Sequence, residues 1–334
     1  HHLIVEDDET ILEAALREGF ALPYGCRNGA CGACKGKVLA GQFDYGVYQP
    51  NALKDEEKVQ GRALFCRATP LSDMVIEAKE IGAAKDIVVK TLPCRVEKLE
   101  KRADDVMRVL IKLPANERLQ FLAGQYVDFL LKDGKSRSYS LANPPHDDAL
   151  LELHIRHVPG GLFSGQVFST LKERDILRLK GPLGSFFIRE DSDKPMIFVA
   201  GGTGFAPVKG MLEHAFAAHL DRELVLYWGV RALKDLYMAE LPQRWLAEHP
   251  NFSFIPVLSN PEPGDPWQGR TGFVHQAVLA DFADLSGYQV YACGAPVMVD
   301  SARDAFTQTR GLPEDAFFAD SFVYAADTEA APVV

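Results

Sequence analysis

The chain has 334 residues, 47% of them hydrophobic and 25% charged, an ordinary globular composition with enough length for two or three domains. Its formal net charge is −10 and no stripe of Lys and Arg is interleaved with aromatic residues, which argues against nucleic acid as a partner. No apolar run reaches the roughly 20 residues of a membrane span and no secretory signal opens the chain, so a cytoplasmic protein without membrane attachment is expected.

Residues 1–80 are predicted to alternate short strands with one helix. The helix begins after Thr10, which forms a capping box with Glu13, and it ends at Gly19. Strands are expected at 2–5, 36–39, 62–66 and 73–78. Residues 81–91 are expected to form a linker to the next domain.

Residues 92–190 have a different sequence pattern, in which short strands are separated by Gly, Pro and Asp turns and no helix is clearly indicated. The strands are expected at 94–100, 106–113, 124–131, 137–143, 150–158 and 175–182. This pattern predicts a small antiparallel barrel.

From residue 191 to 334, apolar strands alternate with amphipathic helices. One helix has Val208, Met211, Leu212, Ala215 and Phe216 on one face at helical spacing. The alternation predicts a doubly wound parallel sheet covered on both faces. A tail after Ala325 is expected to be mobile.

The chain has six cysteines, which are too few in 334 residues for a disulfide scaffold. Four of them lie in the first 66 residues. Cys26, Cys31 and Cys34 have the spacing C-x4-C-x2-C and Cys66 follows, which is the spacing of a [2Fe–2S] cluster held by four thiolates. A structural zinc site and inert or disulfide-bonded cysteines are the alternatives. Zinc motifs usually pair two C-x2-C elements, and this segment has one, so the spacing favours iron and sulfur.

The sequences "PYGCRNGACGACKGKV" and "LFCRA" resemble plant-type ferredoxin domains. The resemblance implies a β-grasp fold for residues 1–80. Members of that family normally open with one more strand before the one expected at 2–5, and its absence suggests a trimmed or incomplete N-terminus.

The stretch "RSYSLAN" at 137–143 has residue types suited to a flavin. Arg137 can neutralise a diphosphate, Tyr139 can stack on the isoalloxazine, and the Ser140 hydroxyl can reach flavin N5. Taken alone, the motif fits an ordinary barrel strand equally well. A Gly160-Gly161 turn and Ser164 near a helix start further along the chain would form an anion site.

In this order the segments resemble the FAD domain of the ferredoxin–NADP reductase family. The resemblance implies that the flavin is held by Arg137, Tyr139, Ser140, Gly161 and Ser164, and is lined mainly through backbone by His154, Arg156 and Val158. His154 and His157 are expected to be ordinary strand residues rather than bases.

The stretch "FVAGGTGFAP" at 198–207 is a strand, a glycine loop and a helix start. It differs from the dinucleotide fingerprint by Pro207 at the third position, so alone it is weak evidence for a nucleotide site. In the reductase family this loop, here Gly202, Thr203 and Gly204, faces the nicotinamide nucleotide.

The stretch "YACGAPVM" at 291–298 places Cys293 and Gly294 at the C-terminal end of a strand, where parallel sheets bind ligands. The family resemblance implies that Cys293 lies beside nicotinamide C4 and, with Ser140, serves hydride transfer. A small buried hydrophobe is the alternative for Cys293, and Cys94 is expected to be structural.

Taken together, the chain resembles single-polypeptide ferredoxin–flavin reductases of the phenol hydroxylase reductase and CDP-6-deoxy-Δ3,4-glucoseen reductase type. The resemblance implies a monomer that passes a hydride from NAD(P)H to FAD, then single electrons through the [2Fe–2S] cluster to a partner oxygenase, hydroxylase component or sugar dehydratase. Arg231 and Asp235 follow the second strand of the nicotinamide domain, and NADH is expected over NADPH.

Three alternatives stay open. One is a free flavin or quinone reductase with an accessory cluster, another is a non-enzymatic iron–sulfur carrier, and the third is a reductase specific to CDP-sugar deoxygenation. The negative charge is explained by solubility alone or by a basic docking partner, for which the acidic groups at 6–9 and 55–57 are the candidate face.

Overall fold

The computed structural model describes residues 1–82 and 87–323. The chain divides into two compact units, His1–Val88 and Val89–Val334. Residues 83–86 of the expected linker and the tail after Ala325 lie outside the described residues. In the described ranges, no helix combines the length and the hydrophobicity needed to cross a membrane.

The first unit is a small mixed fold built around one capped helix. Thr10 and Glu13 form both hydrogen bonds of the predicted capping box, and the apolar residues of the helix are buried. The sheet has the order β3-β1-β5 with antiparallel pairing, and β2 pairs with β4 beside it. The elements are α1 (Ile11–Arg17), β1 (Lys35–Ala40), β2 (Phe43–Asp44), α2 (Asp55–Val59), β3 (Arg62–Leu64), β4 (Thr69–Pro70) and β5 (Val75–Glu77).

The strand predicted at 2–5 is wrong. The backbone at Ile4 forms its hydrogen bonds with side chains at the C-terminal end of α1 and not with a neighbouring strand. Glu18 accepts from the Ile4 N–H at 2.9 Å, and Arg17 donates to the Ile4 carbonyl at 2.6 Å. The Ile4 side chain is 76% exposed, so its hydrophobicity does not indicate burial in a sheet.

The second unit begins with the predicted antiparallel barrel of six strands. Their order is β10-β7-β6-β11-β8-β9, and a bridge between Leu141 and Leu153 joins the two edges. The core holds inward-facing residues such as Val96, Phe129 and Ile155. The elements are β6 (Lys90–Ala103), β7 (Val106–Lys112), β8 (Tyr126–Leu130), β9 (Ser136–Ser140), β10 (Leu151–Arg156), α3 (Leu162–Ser169) and β11 (Ile176–Leu183).

The rest of the second unit is a parallel sheet with the order β15-β14-β13-β12-β16-β17. Apolar cores cover both of its faces, as predicted, and one core also contains Phe186 and Ile188 from the segment that follows the barrel. The elements are β12 (Met196–Gly201), α4 (Phe205–Ala217), β13 (Leu224–Val230), α5 (Glu240–Glu248), β14 (Phe252–Leu258), β15 (Arg270–Thr271), α6 (Val274–Asp281), β16 (Gln289–Gly294), α7 (Pro296–Thr309) and β17 (Phe317–Ser321).

The order of this sheet creates a crevice for ligands. From the central strand β12 the chain proceeds to β13 on one side and later returns to β16 on the other. In parallel sheets of this kind, ligands bind outside the carboxyl ends of the strands where the order reverses. The two edge strands β15 and β17 were not predicted from the sequence.

Candidate functional site

The four clustered cysteines lie on two connected segments of the first unit. Cys34 directly precedes β1 and Cys66 follows β3, and these strands pair antiparallel, with the Phe65 N–H donating to the Cys34 carbonyl at 3.1 Å. Cys26 and Cys31 belong to the loop between α1 and β1. Sheet pairing therefore brings the distant Cys66 to the loop that carries the other three thiols.

All six cysteines are free thiols, and the four of the first unit associate as two pairs. The Cys26 N–H donates to the Cys31 sulfur at 3.4 Å, and the Ala30 N–H donates to the Cys26 sulfur at 3.4 Å. The Cys31 thiol, together with backbone N–H groups of Asn28, Ala30 and Cys31, lowers the pKa of Cys26 to about 6. The Cys34 thiol likewise lowers the pKa of Cys66.

This arrangement fits a binuclear cluster better than one zinc ion. Two thiol pairs, each with one member whose pKa is lowered, would supply two ligands to each iron of a [2Fe–2S] cluster. Backbone N–H groups directed at sulfur also stabilise a reduced cluster.

Three of the seven acidic groups proposed as a docking face form ion pairs within the chain. Arg17 binds Glu9 at 2.9 Å, Lys58 binds Asp55 at 2.9 Å, and Lys35 binds Glu57 at 2.6 Å. Each of these three carboxylates therefore has a cation of its own chain beside it, which competes with a basic partner.

The three residues of the predicted flavin motif lie on β9. Arg137 is half-buried, and its Nη1 donates to the Ser136 carbonyl at 2.8 Å. The Tyr139 ring packs against Phe163 of α3 with centroids 5.5 Å apart, and burial raises the pKa of its phenol. Ser140 is buried at the end of the strand.

The predicted anion-binding turn lies between β10 and α3. Gly161 is the N-cap of α3, and its N–H donates to the Val158 carbonyl at 2.9 Å. The Ser164 hydroxyl accepts from the Val158 N–H at 3.2 Å and so holds the turn against the helix. The first N–H groups of a helix have no partner within the helix and favour an anion.

The predicted nicotinamide loop lies at the crevice of the parallel sheet. Gly202–Gly204 forms one 3-10 turn between β12 and α4, with Thr203 buried in it. Cys293 is fully buried on β16, next to Ala200 of β12. The loop packs so closely on this strand that a Cβ at Gly204 would lie 2.0 Å from the Cys293 carbonyl oxygen. Gly294 ends β16 at the same place.

An aspartate that sequence reasoning missed connects the two predicted catalytic residues. Asp320 on β17 lies opposite Cys293 in the strand register, and its Oδ2 is 3.4 Å from the Ser140 hydroxyl oxygen. Burial and the Asp320 charge raise the pKa of the Cys293 thiol, so the thiol stays protonated. Ser140 of the barrel thus bonds an aspartate that lies beside Cys293 in the parallel sheet.

The side chains of His154 and Arg156 face the nicotinamide domain. His154 is buried between Glu152 and Tyr237, and Arg156 Nε lies 3.1 Å from Asp105 Oδ2. Sequence reasoning had no signal for Tyr237, which belongs to no motif. Cys94 is buried in the barrel, and burial raises its pKa to about 12.

The residues present fit the three groups that the motifs indicate. The thiol pairs suit a [2Fe–2S] cluster, and an arginine, an aromatic ring, a hydroxyl and a helix N-terminus on neighbouring elements suit a flavin nucleotide. When bound, a nicotinamide supplies two electrons as a hydride, a flavin takes two and releases one at a time, and the cluster carries one. The chain's own residues bind these groups and exclude water from the buried Ser140 and Cys293.

Comparisons with known protein families match three consecutive parts of the chain. Residues 1–71 match the 2Fe-2S iron-sulfur cluster binding domain, residues 93–188 the oxidoreductase FAD-binding domain, and residues 198–304 the oxidoreductase NAD-binding domain.

The chain aligns with similar proteins over nearly their full length. The chain is 40% identical to a CDP-6-deoxy-L-threo-D-glycero-4-hexulose-3-dehydrase reductase of Yersinia pestis, over 94% of this chain and 93% of that one. It is 39% identical to the phenol 2-monooxygenase reductase component DmpP of Pseudomonas sp. (strain CF600), over 97% and 92%. Among solved structures, the Amycolatopsis cytochrome P450 reductase GcoB has a TM-score of 0.79 at 37% identity, covering 96% of each chain.

The predicted fold class, cofactors and reaction type are therefore confirmed at the level of the domains. The relatives named as reductases of a dehydrase and of a monooxygenase are consistent with an electron-accepting partner. The chain belongs to the phenol hydroxylase reductase type of ferredoxin reductases, and it is an NAD(P)H-dependent oxidoreductase that uses FAD and a [2Fe–2S] cluster for electron transfer.

Proposed function

We propose that hydride transfer takes place around Ser140 and Cys293, and that electrons leave the protein only through the cluster held by Cys26, Cys31, Cys34 and Cys66. One observation carries this proposal. The Ser140, Asp320 and Cys293 convergence lies in the second compact unit, whereas all four paired thiols lie in the first. The two-electron and one-electron steps thus belong to separate parts of the chain.

In this proposal the remaining residues bind the cofactors. Arg137, Gly161 and Ser164 bind the FAD diphosphate region, Tyr139 packs on the flavin ring, and the β10 backbone at 154–158 lines it. Gly202, Thr203, Gly204 and Gly294 approach the nicotinamide nucleotide. The residue types and their positions on β9, α3 and the crevice of the parallel sheet support these roles.

The domain boundaries proposed are 1–80 for the ferredoxin domain, 81–91 for the linker, 92–190 for the FAD barrel and 191–334 for the nicotinamide domain. The three matched segments and the division of the chain after Val88 support them.

NADH is proposed as the preferred donor. Asp235 lies in the turn after β13, where an acid favours ribose hydroxyls over a 2′-phosphate, while Arg231 in the same segment would favour the phosphate. A ratio of kcat/KM values for NADH and NADPH above ten would support the aspartate as the determinant, and a ratio below one would refute it.

The terminal acceptor is proposed to be an oxygenase component or a sugar dehydratase, as the names of the relatives suggest. A monomer and a cytoplasmic location stay predictions. Gel filtration with light scattering measures the first.

The full-length Cys66→Ser variant tests the exit through the cluster. It should lose iron but retain FAD, and it should reduce ferricyanide with NADH at a near-native rate because hydride transfer does not need the cluster. Reduction of cytochrome c should fall nearly to zero. Cys94→Ala is the control, since Cys94 is buried in the barrel and should leave iron content and both activities unchanged. Cytochrome c reduction near the native rate by Cys66→Ser would mean that electrons leave from the flavin.

A further inference from the structure

Strand β10 of the barrel reaches three elements of the nicotinamide domain with three alternate side chains. Glu152, His154 and Arg156 are two residues apart and therefore project from the same face of the strand. Glu152 lies 3.5 Å from Lys209 of α4, and His154 Nδ1 lies 2.9 Å from the Tyr237 hydroxyl. The third residue, Arg156, approaches the glycine loop.

The His154 ring has both nitrogens bonded inside the protein. Its Nε2 is 2.8 Å from Glu152 Oε1, and burial lowers the pKa of the imidazole, which is therefore neutral. A carboxylate only accepts hydrogen bonds, so we assign the proton to Nε2. The bare Nδ1 then accepts from the Tyr237 phenol, whose pKa burial raises. His154 and Tyr237 can form this bond in only one arrangement of donor and acceptor.

Tyr237 continues the connection to the glycine loop through aromatic packing. Its ring meets Trp228 edge to face at 5.3 Å, and Trp228 stacks on Phe205 at 4.0 Å. The Trp228 indole N–H donates to the Gly202 carbonyl at 2.9 Å. His154 of the barrel is thus connected to the backbone of the loop through Tyr237 and Trp228, two side chains with rigid rings.

The same strand also touches the loop directly. Gly202 has a φ of +53°, and a Cβ there would lie 2.8 Å from Arg156 Nη1. The loop consequently has β10 side chains on two sides, Arg156 close beside it and His154 connected to it through Tyr237 and Trp228.

We propose that His154 and Tyr237 are positioning residues that fix the glycine loop relative to the flavin side of β10. This inference rests on the nicotinamide site proposed above. Since the backbone of β10 is proposed to line the flavin while its side chains hold the loop, one strand sets the distance between hydride donor and acceptor. A misplacement of about 1 Å can cost about 100-fold in rate, so a small loosening of the loop is enough to matter.

Tyr237→Phe tests the proposal, because it removes only the hydroxyl and keeps the ring that packs on Trp228. The rate constant for flavin reduction at saturating NADH, measured by stopped flow, should fall about 10- to 100-fold while FAD content stays native. The matched control is Tyr227→Phe. Tyr227 is a buried tyrosine on the opposite face of the same sheet, and its hydroxyl donates to Asp281 at 2.5 Å. The control should reduce flavin at the native rate.

Hydrogen–deuterium exchange gives a readout that does not depend on turnover. The amides of 199–206 should exchange faster in Tyr237→Phe than in the native chain or in Tyr227→Phe. His154→Gln removes the same bond from the other side and decides the question if Tyr237→Phe does not fold. The proposal would be overturned if these variants exchanged the amides of 199–206 and reduced flavin at the native rates. It would also be overturned if Tyr227→Phe slowed flavin reduction as much as Tyr237→Phe. If the native protein did not oxidise NADH, the proposed function would fail, and the exchange result would still report on the positioning.

Discussion

Glu152 is the centre of a buried charge network, and its neutralisation should destabilise the second unit strongly. Arg108 donates to it at 2.8 Å, His154 at 2.8 Å, and Lys209, which is 5% exposed, lies 3.5 Å away. Glu152→Gln keeps the size of the side chain and deletes the charge that two cations share. Removing one partner of a buried ion pair costs about 3–5 kcal/mol.

The lower end of that range applies because both cations keep a second partner. Arg108 still binds Glu100 at 2.8 Å, and Lys209 still binds Glu213 at 2.9 Å. For a unit of this size, about 3 kcal/mol corresponds to a Tm about 6–12 °C lower. Differential scanning calorimetry of the FAD-loaded protein measures the shift.

The unfolding free energy lost in Glu152→Gln should become smaller at low pH. Burial alone would raise the pKa of Glu152, but hydrogen bonds from His154 and Arg108 and the charge of Lys209 hold its pKa well below the usual value. A carboxylate with a lowered folded pKa contributes stability that is fully present above its unfolded pKa, about 4.3, and disappears as the pH falls through the folded value. The difference in unfolding free energy between the native protein and Glu152→Gln should therefore be constant from about pH 8 to 6 and shrink below about pH 4.

The control for this experiment is Glu97→Gln, which breaks an exposed ion pair with Arg95 on the barrel. Exposed pairs of this kind contribute little, so its melting temperature should match the native one. A Glu152→Gln protein that melts within about 1 °C of the native chain would refute the idea that the carboxylate stabilises the network. So would an equal shift in both variants.

Three further predictions concern the cofactors and the partner. A fragment from Val89 onward should bind FAD and, with NADH, reduce ferricyanide but not cytochrome c, since the chain divides after Val88. If the purified fragment contained no FAD, the first unit would be needed for folding. Arg137→Ala should weaken FAD binding about tenfold by fluorescence titration, whereas the exposed Arg95→Ala should not, and equal affinities would remove Arg137 from the site. Raising salt from about 0.05 to 0.5 M should slow cytochrome c reduction only a few-fold, because three of the seven acidic residues at 6–9 and 55–57 are paired internally. A fall of 100-fold or more would restore the acidic docking face.

Local signals in the sequence predicted elements that are stabilised locally. The capped helix α1 is one, because Thr10 and Glu13 satisfy its first backbone donors without help from the rest of the chain. The strand predicted at 2–5 is wrong because a strand needs a partner, and hydrophobic residues do not specify one. β17 was missed for the complementary reason, since it is held as a strand by its pairing with β16.

The same distinction separates the site residues that could be predicted from those that could not. Cluster chemistry requires four thiolates, so the spacing of Cys26, Cys31 and Cys34 was readable, and sheet pairing places Cys66 beside them. Asp320 belongs to no motif. Its role follows only from the strand register that sets it opposite Cys293 and from its contact with Ser140 on a different domain.

Strand β10 shows why the junction between barrel and parallel sheet was invisible in the sequence. Alternation of apolar Leu153 and Ile155 with Glu152, His154 and Arg156 has the period of a strand with one face in water. In the structure the polar face is buried as well, because Lys209, Tyr237 and Gly202 cover it. Buried polar groups are tolerated only with partners, and here Lys209 and Tyr237 of the other domain complete the set that Arg108 of the barrel begins. A barrel cut off from the parallel sheet would expose Ile188 and would deprive Glu152 of Lys209 and His154 of Tyr237, which explains why the two domains form one compact unit while the ferredoxin domain forms another.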